Sequence, residues 1–274
     1  MVLGKYKAYD AHCHIFPDKI AARAVRGTDD FYGEHSVGDG TVKGLIQDGV
    51  AAGIDRFIVQ SVATTPHQVR SINRFIAESA AAHPDRLTGL GALHPRSEDI
   101  AGDVEDILSL GLHGVKMHPD IQGFAADDPG YLEIYKQCEK AGLPVLLHTG
   151  DRRYDMSNPN RILPLLEKYP DLTFIGAHFG GWSLWTEAYR DLAGLPNLWV
   201  DCSSSFYRLT PDEVRTVISA YGADRVLFGT DFPMWKPKSE LDFLFSLGLD
   251  DRDLARILWD NGMKVFGRLP AAIG

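Results

Sequence analysis

The amino-acid sequence predicts an α/β fold, a single (β/α)8 TIM barrel over residues 1–274, and three observations carry that expectation. Eight apolar runs of strand length recur, most followed by stretches with helical spacing, the alternation that gives parallel strands joined by crossover helices. The runs are continuously apolar, as in Val145-Leu146-Leu147 and Val226-Leu227-Phe228, as strands covered on both faces are. An open doubly wound sheet shares both features. The third decides for a closed ring: several runs, more than two hundred residues apart at the extremes, finish in metal-friendly side chains, and a barrel gathers its strand ends around one point.

Taken in order, the strands are expected at 8–15, 54–61, 87–94, 112–118, 143–148, 172–178, 197–202 and 225–230. The first ends in Asp10-Ala11-His12-Cys13-His14. Side chains alternate along a strand, so His12 and His14 point one way and Cys13 the other, and two imidazoles can share a cation. Residues 17–40 read as an irregular stretch with Phe31, Tyr32 and His35, placed to overhang the mouth. Pro66 to Ala82 reads as a helix. His94-Pro95 ends the third strand without an assigned role, and Lys116 and His118 end the fourth on one side of it. Asp127-Asp128-Pro129 opens a helix carrying Tyr131, Ile134, Tyr135 and Cys138 and stopping at Gly142.

His148 ends the fifth strand and His178 the sixth. Arg152 and Arg153 follow His148, where a guanidinium fork could hold a substrate carboxylate. Trp182, Trp185 and Trp235 follow strand ends as wall or packing residues, and Asp201, Ser203 and Ser204 could bond substrate, orient a ligand or cap a helix. Thr210-Pro211-Asp212-Glu213 is a capping box with proline at the first helical position, opening a helix through Tyr221. The eighth strand leads to Asp231, which a closed ring sets beside the first strand. Asp251 to Phe266 forms the last helix. Three imidazole-bearing strand ends and a carboxylate around one point are the layout of a divalent-metal site.

The net charge of -9 argues against nucleic acid and membrane as partners and for a small molecule. Cys13, Cys138 and Cys202, an odd count without a CxxC pair, argue against a disulfide framework. The start, from Met1 to Lys7, lacks a leader's apolar stretch, so a cytoplasmic location is expected. Gly-x-Gly-x-x-Gly, Gly-x-x-x-x-Gly-Lys-Ser/Thr and Gly-x-Ser-x-Gly motifs are absent, which removes the usual support for nucleotide chemistry and serine hydrolysis.

Five motifs join Asn261-Gly262 in a resemblance that covers essentially the whole chain: Asp10-Ala11-His12-Cys13-His14, Gly114-Val115-Lys116-Met117-His118-Pro119, His148-Thr149-Gly150, His178-Phe179-Gly180-Gly181 and Gly229-Thr230-Asp231-Phe232-Pro233. The chain resembles the amidohydrolase superfamily, and within it the amidohydrolase-2 group of aminocarboxymuconate-semialdehyde decarboxylase and related hydrolases, hydratases and decarboxylases. The resemblance implies one zinc, or another divalent ion, held by His12, His14, His148 and Asp231, with His178 as catalytic acid or base and Asp231 able to accept a proton. It sets Lys116 where binuclear relatives carry a carboxylated lysine and a second metal. The preferred reading makes Lys116 a substrate-facing cation or ion-pair partner, with His118, Arg152 and Arg153 as further substrate contacts. It also implies a homodimer.

The first expectation for function is a metal-dependent hydrolase of an ester, lactone or amide in a small, carboxylated substrate. The alternative is a non-oxidative decarboxylase, a lyase, of a small unsaturated or aromatic acid. The third is a metal-stabilised barrel that only binds a ligand.

Overall fold

The structure, a computed structural model, describes residues 4–267. Residues 1–3 and 268–274 of the single domain expected over 1–274, and with them Met1–Leu3 of the start expected to lack a leader, lie outside the described residues. Two runs of parallel strands form the centre. The first joins β1 (Tyr9–His14), β2 (Arg56–Gln60) and β3 (Leu87–Gly89). The second joins β4 (Gly91–Ala92), β5 (Val115–Met117), β6 (Val145–Leu147), β7 (Phe174–Gly176), β8 (Leu198–Asp201) and β9 (Val226–Leu227).

The strand expected at 87–94 is therefore two short ones about Leu90. The break leaves no gap, because Leu90 N–H donates to Val59 O on one side and Gly91 N–H to Gly114 O on the other, both at 2.9 Å. At the opposite seam Ala11 N–H donates to Phe228 O at 2.8 Å, His14 N–H donates to Phe232 O at 2.6 Å, and Cys13 pairs in parallel with Phe232. These bonds close the ring, removing the free edge an open sheet would expose.

Around it run α1 (Asp18–Tyr32), α2 (Val42–Ala52), α3 (Val69–Ala82), α4 (Ile100–Ser109), α5 (Pro119–Gln122), α6 (Pro129–Ala141), α7 (Pro159–Lys168), α8 (Trp185–Leu192), α9 (Pro211–Tyr221), α10 (Pro237–Ser246), α11 (Asp251–Ala255) and α12 (Asn261–Phe266). None of the described helices is long and apolar enough to cross a membrane.

Two expectations about helices need correction. Residues 17–40 are not irregular throughout: α1 occupies much of the stretch, burying Ala21 and Val25 one turn apart and ending at Gly33, whose left-handed backbone lets its N–H close on Asp29 O. The placement over the mouth is nonetheless right. The last helix, expected to run unbroken from 251 to 266, widens to a π turn at Arg256–Asp260. That turn lies where Ile257 O accepts Phe228 N–H and Asn261 Nδ2 donates to Ala223 O and Val226 O, tying the helix to the end of β9.

The core has two shells. Tyr9, Ala11, Ile58, Leu146, Ile175 and Leu227 fill the ring's interior, while a larger set including Cys13, Val59, Val115, Leu147, Phe174 and Val200 packs between strands and helices. Side chains from one strand contribute alternately to the two shells, which is why the runs are apolar at every position.

Candidate metal centre

The first two candidate ligands, His12 and His14, are aimed by an irregularity in β1. Tyr9 and Ala11 point into the ring, so strict alternation would send His12 outward. The register against β2 shifts between Asp10 and Cys13, a bulge that changes the phase. His12 and His14 consequently line the central cavity while Cys13 sits in the outer shell.

His12 Nε2 lies 3.2 Å from His14 Nε2, and Asp231 Oδ1 stands 3.3 Å from the first and 3.5 Å from the second. Both Asp231 (φ 57°) and His178 (φ 61°) adopt left-handed backbone, a conformation that costs a non-glycine residue about 1–3 kcal/mol. Gly229 permits the crowding behind them, since a Cβ there would stand 3.0 Å from that of His12.

Hydrogen bonds fix which ring nitrogens carry protons. Asp201 Oδ2 accepts from His12 Nδ1 at 2.9 Å, so His12 turns its Nε2 lone pair to the centre. His178 Nδ1 donates to Ser203 O at 3.0 Å and His148 Nε2 to Gly150 O at 3.1 Å. Their other nitrogens, His178 Nε2 and His148 Nδ1, then confront each other as lone pairs 3.1 Å apart. Opposed acceptors are unfavourable in a buried space, and a cation among them resolves the conflict. The donor set fits a divalent metal on chemistry as well, with imidazole and carboxylate donors and a carboxylate behind His12 orienting the ring.

Burial is the first influence on His14, His118, His148, His178 and Asp231. It lowers His178 to about 4, with Asp231 pulling the other way, and takes His14, His148 and His118 well below the usual histidine range, helped by neighbouring imidazoles or Lys116. Burial opposes the charge on Asp231, yet the facing histidines outweigh it and hold the carboxyl down at about 2. His14, His148 and His178 are thus neutral at rest around an ionised Asp231, which suits a cation.

The structure brings His12, His14 and Asp231 together as one group of potential ligands. His148 stands apart from that trio: its Nδ1 faces His178 and its ring stacks on His118 at 3.9 Å. Lys116 is buried with Nζ 3.2 Å from His12 Nε2, and burial lowers it to about 8. No carboxylate among the described residues forms an ion pair with it, and it lines the cavity. Neither arginine of the expected pair does. Arg152 is exposed and bonds Ser183 O, while Arg153 is engaged by Asp151 at 2.7 Å. His35 is solvent-exposed, His94 receives Arg96 N–H, and Trp185 bonds Ser205. Trp182 and Trp235 do line the cavity, which has a volume of about 660 Å³.

Two residues went unassigned in the sequence. Tyr32 enters from α1 with its hydroxyl 2.7 Å from His118 Nε2. Gln122 in α5 accepts His118 N–H and donates to Ala63 O and Leu93 O, tying strand ends together. A signal for the first was present, since Ile20, Ala24, Thr28 and Phe31 recur at helical spacing before Tyr32.

The sequence profile of the amidohydrolase family matches residues 9–268. The chain belongs to that family. It is 26% identical, over 203 residues, to 2-amino-3-carboxymuconate-6-semialdehyde decarboxylase of Dictyostelium discoideum, the match covering 58% of this chain and 54% of the relative, so about half the relative's length is spanned. Among solved structures, an uncharacterised TIM-barrel protein from Bordetella bronchiseptica superimposes with a TM-score of 0.77 at 23% identity, over 96% of this chain and all of that one. A dihydroxybenzoic acid decarboxylase from Polaromonas, solved with manganese and the inhibitor 2-nitroresorcinol, gives 0.73 at 19% identity over 96% and 97%. These likenesses establish the TIM-barrel fold.

Proposed function

We propose that this chain is a divalent-metal-dependent decarboxylase, a lyase, acting on a small planar carboxylic acid. One observation carries the metal dependence: the lone pairs of His178 Nε2 and His148 Nδ1 oppose each other 3.1 Å apart, beside His12, His14 and the ionised Asp231. Hydrolysis, the first expectation, yields to the alternative because the curated relative and the Polaromonas neighbour are both named as decarboxylases.

His12, His14 and Asp231 would hold the ion, with His148 beside them. When bound, the ion supplies Lewis acidity that draws an acid's oxygens to this end of the cavity. Lys116, buried among the ligands, adds a donor for the same oxygens. Trp182, Tyr32 and Phe31 line the cavity as aromatic walls suited to a flat substrate. His178 Nε2 is unprotonated at rest and faces the centre, so it is the atom placed to take a proton from the substrate or from solvent and pass it to the carbon whose bond to carbon dioxide breaks.

Zinc suits imidazole-rich donors, and the manganese of the Polaromonas protein is its rival. Metal analysis addresses both identity and count: one equivalent per chain agrees with an uncarboxylated Lys116, two with a carbamate bridge. The reaction is tested by incubating the metal-loaded chain with aromatic acids in 18O-labelled water. Carbon dioxide should appear with a product free of solvent oxygen; a labelled product without carbon dioxide would return the chain to the hydrolases.

A further inference from the structure

Tyr32 is fixed in the cavity by a clamp that has no evident purpose in the packing alone. Asp151, fully buried, grips Arg153 through both carboxylate oxygens. The guanidinium then reaches the last turn of α1, where Nη1 donates to Phe31 O at 2.6 Å. A cation at a helix C-terminus satisfies a carbonyl the helix leaves unpaired and favours its dipole. The same guanidinium lies 4.9 Å from the Phe31 ring centroid, 5.3 Å from that of Tyr32 and 5.4 Å from that of Trp182. Arg153 thereby locks the end of α1 onto the loop after β6.

The locked residue presents a free donor. His118 begins α5 and accepts Ile121 N–H at Nδ1, 3.3 Å away, so its proton lies on Nε2. That Nε2–H donates to Tyr32 Oη at 2.7 Å, occupying the phenol as an acceptor and leaving its O–H to be given elsewhere. Within the cavity the nearest acceptor is His148 Nδ1, 3.5 Å away, too long for a good bond.

We propose that the Tyr32 hydroxyl is a pre-set hydrogen-bond donor to an oxygen of a planar aromatic or conjugated acid, and that Arg153 is a positioning residue acting through Tyr32. The acid class rests on the function proposed above. The residue pair has a test that does not.

The probe is 2-nitrophenol, planar and with a nitro group where salicylate carries its carboxylate, so it has no carbon dioxide to lose. Calorimetry on the metal-loaded chain should give a dissociation constant that rises roughly threefold to tenfold in Tyr32→Phe, the loss of one hydrogen bond. Arg153→Met should weaken binding similarly in the parent but add almost nothing in the Tyr32→Phe background, since contacts acting as one unit are non-additive. Arg153→Lys, which keeps the charge but loses the fork, should fall between. Unchanged binding by Tyr32→Phe, an additive double variant, or a metal-loaded parent that does not bind the probe overturns the proposal. Decarboxylation with kinetics indifferent to Tyr32 leaves the lyase reading intact while this one falls; probe binding sensitive to Tyr32 without carbon dioxide release from any acid does the reverse.

Discussion

Asp201 illustrates how much of this centre depends on groups that would not touch the ion. Burial opposes its charge, yet the charge and ring N–H of His12, the neighbouring His178 ring and the Ser203 hydroxyl outweigh it and hold the carboxyl well below the usual carboxylate range. It fixes the proton of His12 on Nδ1, leaving Nε2 for the centre. Glu240 is the opposite case. It is buried in α10 with Oε2 lacking any partner among the described residues, and burial, then Asp10 and Asp231, raise its carboxyl from 4.5 to about 8. Folded protein keeps this proton where the unfolded chain has released it, so the residue destabilises the fold progressively as pH rises from 4.5 to about 8. Glu240→Gln should therefore leave stability near pH 5 little changed and raise it at pH 8, by on the order of 1–3 kcal/mol. Denaturant melts at the two pH values check this; a gain confined to low pH would contradict the sign.

At the scale of elements, the sequence was most legible where local chemistry decides. The Thr210 box is present as read, with Thr210 Oγ1 accepting Glu213 N–H and Glu213 reaching back to Thr210 N–H at 2.8 Å. Thr210→Ala should cost about 1 kcal/mol, seen as a lower thermal midpoint with the barrel and metal content unaltered. The helix from Pro129 stops at left-handed Gly142 for equally local reasons. Where pairing across the sheet decides, reading failed. Leu90 divides an apolar run because its two sides bond different neighbours, and the π turn at Arg256–Asp260 accompanies bonds from distant Phe228 and Asn261. The glycines and acids of 17–40 obscured α1, whose buried face is only Ala21 and Val25.

The whole molecule places its strand ends together by closing the ring, and closing it sets Asp231 against His14 across the β9–β1 seam. A cation at that seam would tie the first strand to the segment after the last. Binding to the folded state alone stabilises by about 2.7 kcal/mol at a hundredfold excess over the dissociation constant, which for a chain of this size is about 5–10 °C in melting temperature. Chelation of the metal-loaded protein should lower the midpoint by that amount, and re-addition should restore it; indifference to the chelator would mean that the four side chains do not hold an ion.

What the sequence determined by itself is the set of chemical parts and the elements that bear them. Apolar runs alternating with capped helices specify parallel strands, and strand-end histidines with Asp231 supply the donor types of a candidate metal site, because periodicity, capping and donor type are properties of a few adjacent residues. Which nitrogen faces the centre, that His148 turns toward His178, that Arg153 grips Asp151 and α1, and that Tyr32 enters the cavity are decided only by the tertiary structure. Each depends on a hydrogen bond between residues far apart in the chain, such as Asp201 with His12 or Arg153 with Phe31. No local pattern encodes those bonds; the closed ring brings their partners within reach.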